Sequence, residues 1–272
     1  MKDIIFELQD FRYLEWAKIR HSSGTAGSFL KAYDDLPDGK RYYKLSDYDS
    51  VQGIVGHECV NEVIVQRLMD LMHMEHIQYT LVHALIKLQG QEYETYLCES
   101  KDFKQPGESK LAFEDYYVME RQDDELPLDF CIRMGWEERI YQMFLLDYLI
   151  LNRDRHGANI EVLRNPKMKM IRLAPFFDHG LSLLCRCHSE KEIRSFDVME
   201  DRRVQSFMDN HSVEENLKWI PKEYGKSIVK LYSKDRKVVM EGLDGILSKV
   251  HQEKIWEMIW KRWEYYDSIR NS

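Results

Sequence analysis

The chain has 272 residues, 44% of them hydrophobic and 12% aromatic, enough to bury a sizeable core as one domain or as two lobes. Lys and Arg number 39 against 47 Asp and Glu, a formal charge of −8, so the field of the whole protein repels a nucleic-acid backbone or an anionic lipid surface, and any phosphate site has to be local. The cysteines at 59, 98, 131, 185 and 187 are odd in number and scattered, which suits a reducing compartment better than a disulfide framework. Neither a charged-then-apolar leader nor a run of about 18 apolar residues is present, so a cytoplasmic protein that avoids membranes and does not contact nucleic acid directly is expected.

Residues up to about 120 read as strand-rich with one helical interruption. SFLKAYDD (28–35) and RYYKLS (41–46) flank LPDGK (36–40), where proline presets φ and glycine supplies a positive one; the two runs predict a β-hairpin. From Gly56 to His73, apolar residues at 60, 63, 64, 68, 71 and 72 recur at helical spacing. HIQYTLVHAL (76–85) and EYETYLCES (92–100) alternate and predict strands. After Pro127 the texture turns helical: LPLDFCIRMGWEERIYQMFLLDYLIL (126–151) has apolar positions at three- and four-residue steps, weakened only by Gly135. Polar residues 152–157 end that helix, NIEVL (159–163) and KMIRLAPFF (169–177) surround the turn RNPK, and FDHG follows. The last third is helical, with Trp256, Trp260, Trp263 and Tyr266 expected in the core. The division falls between 121 and 127, giving an N-terminal lobe over 1–123 and a C-terminal lobe over 124–272.

The polar segment LNRDRHGANI (151–160) sits at a helix-to-hairpin loop, and phosphoryl transfer explains its spacing. One carboxylate orients the attacking hydroxyl, while an amide oxygen and a second carboxylate hold Mg²⁺. Asp154 is the candidate catalytic carboxylate; Asn159, five residues on, and Asp178, returned to the same point by the next hairpin, are the candidate metal ligands. The separation of Asp154 from Asn159 is that of the protein-kinase catalytic loop H-R-D-x-x-x-x-N. His156 is expected to fix this loop by hydrogen bonding, since Asp154 already fills the role of base. Upstream, Gly24 and Gly27 in Gly24-Thr25-Ala26-Gly27-Ser28 let backbone N–H groups approach phosphate; the segment does not fit a Walker loop. Lys44 in the second hairpin strand is expected to pair with Glu62 on the following helix and to reach the phosphates of ATP, with Glu58 one turn earlier as the alternative partner.

NRDRHGAN and FFDHG resemble the N-x-D-R-H-x-x-N and F-D-x-G motifs of the HipA-like kinases, and most closely those of their compact CtkA-type members. Asp147, the helix start NEVIVQRLMDLM (61–72) and the strand end SKDF (100–103) extend the resemblance over most of 22–184. It implies a bilobal protein-kinase-like fold of the α+β class, strand-rich in the first lobe and mainly helical in the second, and ATP- and Mg²⁺-dependent phosphorylation of a protein Ser or Thr. It further implies a hinge at Glu99 to Lys101 whose backbone meets adenine, Asp102 on the ribose, autophosphorylation of a serine near Gly24 (Ser22 or Ser23), and an antitoxin-like partner. Ser28-Phe29 offers no lysine where related phosphate loops carry one, and the N-terminal domain of full-length HipA has no counterpart.

Two other readings stay open on the sequence. A pseudokinase or nucleotide-binding interaction module would be expected to lack Lys44, Asp154 or Asp178, and all three are present. A kinase of a small molecule or lipid headgroup would share the same site chemistry. Cys185-Arg-Cys-His188 has no second ligand pair at finger spacing, and no zinc is assigned.

Overall fold

Alternation at period two sorts the early strands onto two faces, and that sorting builds the first layer of the protein. The computed structural model describes residues 3–17, 29–208 and 210–271. Strands β1 (Ile4–Asp10), β2 (Lys31–Leu36) and β3 (Gly39–Leu45) are followed by a two-residue ladder of β4 (Tyr48–Asp49) and β5 (Gly53–Ile54), helix α1 (Glu58–Leu71), and β6 (Tyr79–Leu88) with β7 (Gln91–Lys101). The main sheet has the order β1-β6-β7-β3-β2, with β1 parallel to β6 and every other pair antiparallel. One face carries Ala32, Tyr43, Leu45, Ala84, Ile86 and Leu97 into a small cluster closed by Leu14. The other face carries Tyr79, Leu81 and Cys98 against α1.

The expected hairpin, helix and strand pair are all present. The stretch 109–120 differs: β8 (Ser109–Ala112) leads into α2 (Phe113–Glu120), and β8 pairs with β10 (Glu161–Asn165), whose other neighbour is β11 (Met170–Leu173). Residues 109–112 thus belong to a sheet built from the later chain. The apolar run after Leu126 is not one helix. It splits at Gly135 (φ +71) into α3 (Pro127–Arg133) and α4 (Glu137–Ile150), because the left-handed turn that glycine adopts redirects the chain.

Beyond the short strand β9 (Asp154–Arg155), the chain forms α5 (Glu190–Ser195), β12 (Gln205–Ser206), α6 (Val213–Leu217), α7 (Lys222–Ser227), α8 (Arg236–Val239) and the long α9 (Lys249–Asn271). The fold is therefore mixed α+β, with its large sheet N-terminal and mostly helices after 113. Trp256, Trp263 and Tyr266 of α9 are buried, and Trp260 packs partly buried beside them. Arg262, fully buried, donates to the carbonyls of Val198, Tyr148 and Glu200 at 2.7, 3.0 and 2.9 Å, tying α9 to α4 and the 198–200 turn. No helix among the described residues is long and apolar enough to cross a membrane.

Arg67 holds α1 in place. Its guanidinium is 1% exposed and donates to Asp3 Oδ2 and Oδ1 (2.7 and 3.0 Å) and to the carbonyls of Val239 and Glu241 (3.1 and 2.6 Å). Burial raises the Asp3 carboxyl pKa, but Arg67 outweighs it and leaves the group below its ordinary range. Arg67→Met strands a carboxylate and two carbonyls at once, and a loss of about 3–5 kcal/mol is expected, read as a lower denaturant midpoint at unchanged slope. A midpoint within error of the parent would show that the rest of α1 holds itself.

Candidate functional site

Lys44 stands opposite Lys31 on β2 and Cys98 on β7, so the three side chains share the face that looks toward α1. Its ammonium donates to Glu62 Oε1 at 2.9 Å and to Asp178 Oδ1 at 2.8 Å. Burial disfavours this charge, yet Asp178 and Glu62 outweigh it and raise the Lys44 pKa well above the usual range. Glu62 is buried as well. Desolvation pushes its carboxyl up, Lys44 and His179 push it down, and the net shift is downward. Its second oxygen accepts the His179 backbone N–H at 2.9 Å. Glu58 does not share in this: its carboxylate accepts from the Asp47 N–H at 3.0 Å, because Lys44 lies over the next turn of α1.

The helix α4 ends with Leu151 in the left-handed region (φ 49), and two loops zip together beyond it. Leu183 N–H donates to Ile150 O at 2.6 Å, and Arg153 N–H to Leu181 O at 3.1 Å. Asp178 and Leu183 also have positive φ, 62 and 55. Such conformations in non-glycine residues persist where surrounding contacts over-determine them. Asp147 is the hub of those contacts. It accepts from Asn152 Nδ2 (2.9 Å) and from Arg155 Nε and Nη2 (3.0 Å each), and Arg155 Nη1 reaches the carbonyls of Asn159 (3.2 Å) and Phe177 (3.4 Å). One buried guanidinium therefore joins the loop of Asp154 to the segment of Asp178.

Within that frame Asn159 Nδ2 donates to Asp154 O at 2.7 Å and to Asp154 Oδ2 at 3.3 Å. His156 Nδ1 accepts the Ala158 N–H at 3.1 Å, closing the 3-10 turn Gly157–Asn159, with Nε2 3.5 Å from Asp154 Oδ1. Gly157 is required by close approach: a Cβ there would lie 2.7 Å from Glu114 Cβ at the start of α2.

An open cleft of about 110 Å³ lies against the sheet, lined among others by Lys31, Lys44, Ser100, Asp102, Phe103 and Asp178. Lys101 and Asp102 line it, whereas the Glu99 side chain pairs with Arg41 on β3. Lys31 and the Lys110–Glu161 pair (3.0 Å) at the cleft were not singled out from sequence. Burial, opposed by Asp178 and assisted by Lys44, lowers the Lys31 pKa. The signal for Lys31 was available: counting outward from the Pro37-Asp38 turn puts it directly across from Lys44. Gly24, Thr25, Ala26, Gly27 and Ser28, with Ser22 and Ser23, lie outside the described residues.

The oxygen donors suit Mg²⁺, a hard cation that takes one or two carboxylates and completes its shell with substrate phosphates and waters. The amide nitrogen of Asn159 is committed to Asp154, which leaves the side-chain oxygen as its remaining ligating atom; Asp178 supplies the carboxylate. Among the described residues no three Asp, Glu, His or Cys side chains gather as a metal cluster, so a bound ion would depend on phosphate for much of its shell.

The sequence matches no family model and no curated protein. Solved structures do match. The proinflammatory kinase CtkA of Helicobacter pylori superposes with a TM-score of 0.66 at 14% identity, over 97% of this chain and 98% of its own. The chain has the fold of the HipA-like kinases. HipA of Shewanella oneidensis MR-1, solved with HipB and operator DNA, matches with a TM-score of 0.50 at 14% identity, over 94% of this chain and 68% of its own. The resemblance in the motifs is thus met by a likeness of the whole HipA-like fold.

At the start of α1, His57 packs its ring 4.8 Å from that of His251, and its Nε2 is buried without a partner. Burial, with His251 and His188 beside it, lowers its pKa from 6.5 to about 3. The unfolded chain then takes up this proton first as pH falls, so the stabilisation is complete above about 6.5 and is lost progressively toward 3. His57→Gln should lose stability less steeply than the parent between pH 6.5 and 4, measured by denaturant midpoints. Parallel slopes would refute the assignment.

Proposed function

We propose that the chain is an ATP- and Mg²⁺-dependent protein serine/threonine kinase. The observation that carries this reading is the Lys44 ammonium held between Glu62 and Asp178 at a cleft, with the Asp154–Asn159 loop tied to the Asp178 segment by Arg155. In this chemistry the protein supplies position and charge rather than covalent bonds. Lys44, aimed by Glu62, would meet the phosphates, with Lys31 beside it as a second cation. The Glu99 to Lys101 backbone would meet adenine, and Asp102 the ribose. Asp178 and Asn159 would hold Mg²⁺, which when bound neutralises charge on the phosphates. Asp154 would accept the proton of the acceptor hydroxyl, with its carboxylate oriented by Asn159 and its loop braced by His156 and by Arg155 on Asp147. We place the junction of the two lobes at 101–109, where the chain leaves the large sheet, rather than at 121–127. Autophosphorylation of Ser22 or Ser23 belongs to the same reading.

The deciding experiment is incubation of the purified protein with labelled ATP, Mg²⁺ and a cell extract, followed by separation of protein-bound from small-molecule label. Label on protein Ser or Thr is expected. Label on small molecules alone would favour the alternative acceptor class, and nucleotide binding without transfer would favour the interaction module.

Asp154→Asn should retain nucleotide binding and lose transfer, on the order of 10³-fold or more, whereas Asp178→Asn should weaken Mg–ATP binding as well. Unchanged turnover in the Asp154 variant would sink its role. For Lys44 and Glu62, each single alanine variant should lose most activity, with the double variant little worse than either, because groups acting as one unit are non-additive. Losses that multiply fully in the rates would show that Glu62 does not work through Lys44.

A further inference from the structure

Glu161 places a carboxylate in the wall of the cleft described above. Its backbone is fixed from both sides, since it pairs with Ala112 of β8 and its carbonyl accepts the Ala174 N–H at 2.8 Å. Lys110 stands opposite Leu163 on the same ladder, so the period of two sets it on the face that Glu161 shares. Its ammonium donates to Glu161 Oε1 at 3.0 Å, and both side chains line the cleft.

The two partners are unequally satisfied. The Lys110 side chain is 36% exposed and can complete its hydrogen bonds with water, whereas Glu161 is 6% exposed and its Oε2 is buried with no donor among the described residues. Buried acceptors are normally paired, and an unpaired one is costly. Other carboxylates of the site are engaged: Glu62 uses one oxygen on Lys44 and the other on the His179 N–H, and Asp102 accepts from the Lys104 N–H at 3.1 Å. Lys110 already balances the charge of Glu161, so its second oxygen lacks a neutral donor rather than a cation. Torsion about the last bond of a glutamate side chain is broad and roughly two-fold, so the carboxylate can turn one oxygen to the cleft while the other stays on Lys110.

We infer that Glu161 is a specificity-determining residue of the cleft, which accepts a hydrogen bond from an N–H or O–H group of the nucleoside and so sets which nucleotide is taken. That the ligand is a nucleotide rests on the kinase reading above. The chemistry of the carboxylate selects the part of the ligand: when ionised it accepts only, and it repels phosphate oxygens. A nucleotide carries its donors elsewhere, in the exocyclic amine of the base and the hydroxyls of the ribose. A ligand without the matching donor leaves the buried oxygen unpaired, and a site built around one hydrogen bond rejects such an analogue far more strongly than an apolar pocket does. The Lys110 bond fixes the carboxylate in place, so the donor has to come to it.

The test is displacement of a fluorescent ATP analogue from the full chain, with Mg²⁺, by ATP, by ITP (an oxygen in place of the exocyclic amine), and by 2′-deoxy- and 3′-deoxy-ATP. At least one of the three analogues should bind the parent about tenfold or more weakly than ATP does. Glu161→Met should then weaken ATP and leave that analogue unchanged, which narrows the difference; loss of selectivity against ITP assigns the donor to the base, and against a deoxynucleotide to the ribose. Glu161→Gln, which keeps an oxygen for Lys110, should show the same selective loss to a smaller degree. A residue that only supports the fold would lower all four affinities by one factor. Such a uniform drop in both variants, or affinities that neither variant alters, would overturn the proposal and leave the kinase reading intact. Absence of ATP binding in the parent would overturn both, whereas Glu161-dependent selectivity in a protein that fails to transfer phosphate would reject the kinase reading alone.

Discussion

One ammonium shared between two carboxylates is the constraint on which the site depends. Lys44 cannot be buried alone, and neither can Glu62; together with Asp178 they form a set in which each charge requires the others. Such sets are poor devices for stability, since desolvation consumes much of what the ion pairs return. Their value lies in specifying one arrangement of three elements distant in sequence: the second hairpin strand, the first helix and the segment after β11.

Helix α1 delivers that arrangement because its residues at three- and four-step spacing face the same segment. Glu58 lies so close to Gly180 that a Cβ on the glycine would sit 3.1 Å from its own Cβ. Asn61 donates to Gly180 O and Ser182 O at 3.0 and 3.1 Å, and Glu62 accepts from His179 N–H. Three backbone groups of the 179–182 segment are thereby read by one helical face. Arg67, farther along, anchors the same helix to the first strand and to the turn after α8. The helix is a rigid strut with its polar contacts at the site end and its anchor at the other.

The local parts of this fold were legible because their signals are short. The Pro-Asp-Gly turn gave away the hairpin, and the Asp154, Asn159 and Asp178 spacing marked a loop and a companion segment that Arg155 ties together. What escaped was set by tertiary pairing. Ser109–Ala112 pairs with β10, some fifty residues on, and nothing local announces that choice. Gly135 reads as a weakness in a helix; its positive φ makes it a break. Lys31 stands out only once the hairpin register places it across from Lys44.

The cleft is a local exception to the charge of the whole chain. Lys31 and Lys44 supply positive charge on the side of the sheet in a protein that is otherwise net acidic. A chain with a uniformly basic surface would attract an anionic ligand everywhere, whereas a net negative charge with one local exception confines such a ligand to one place.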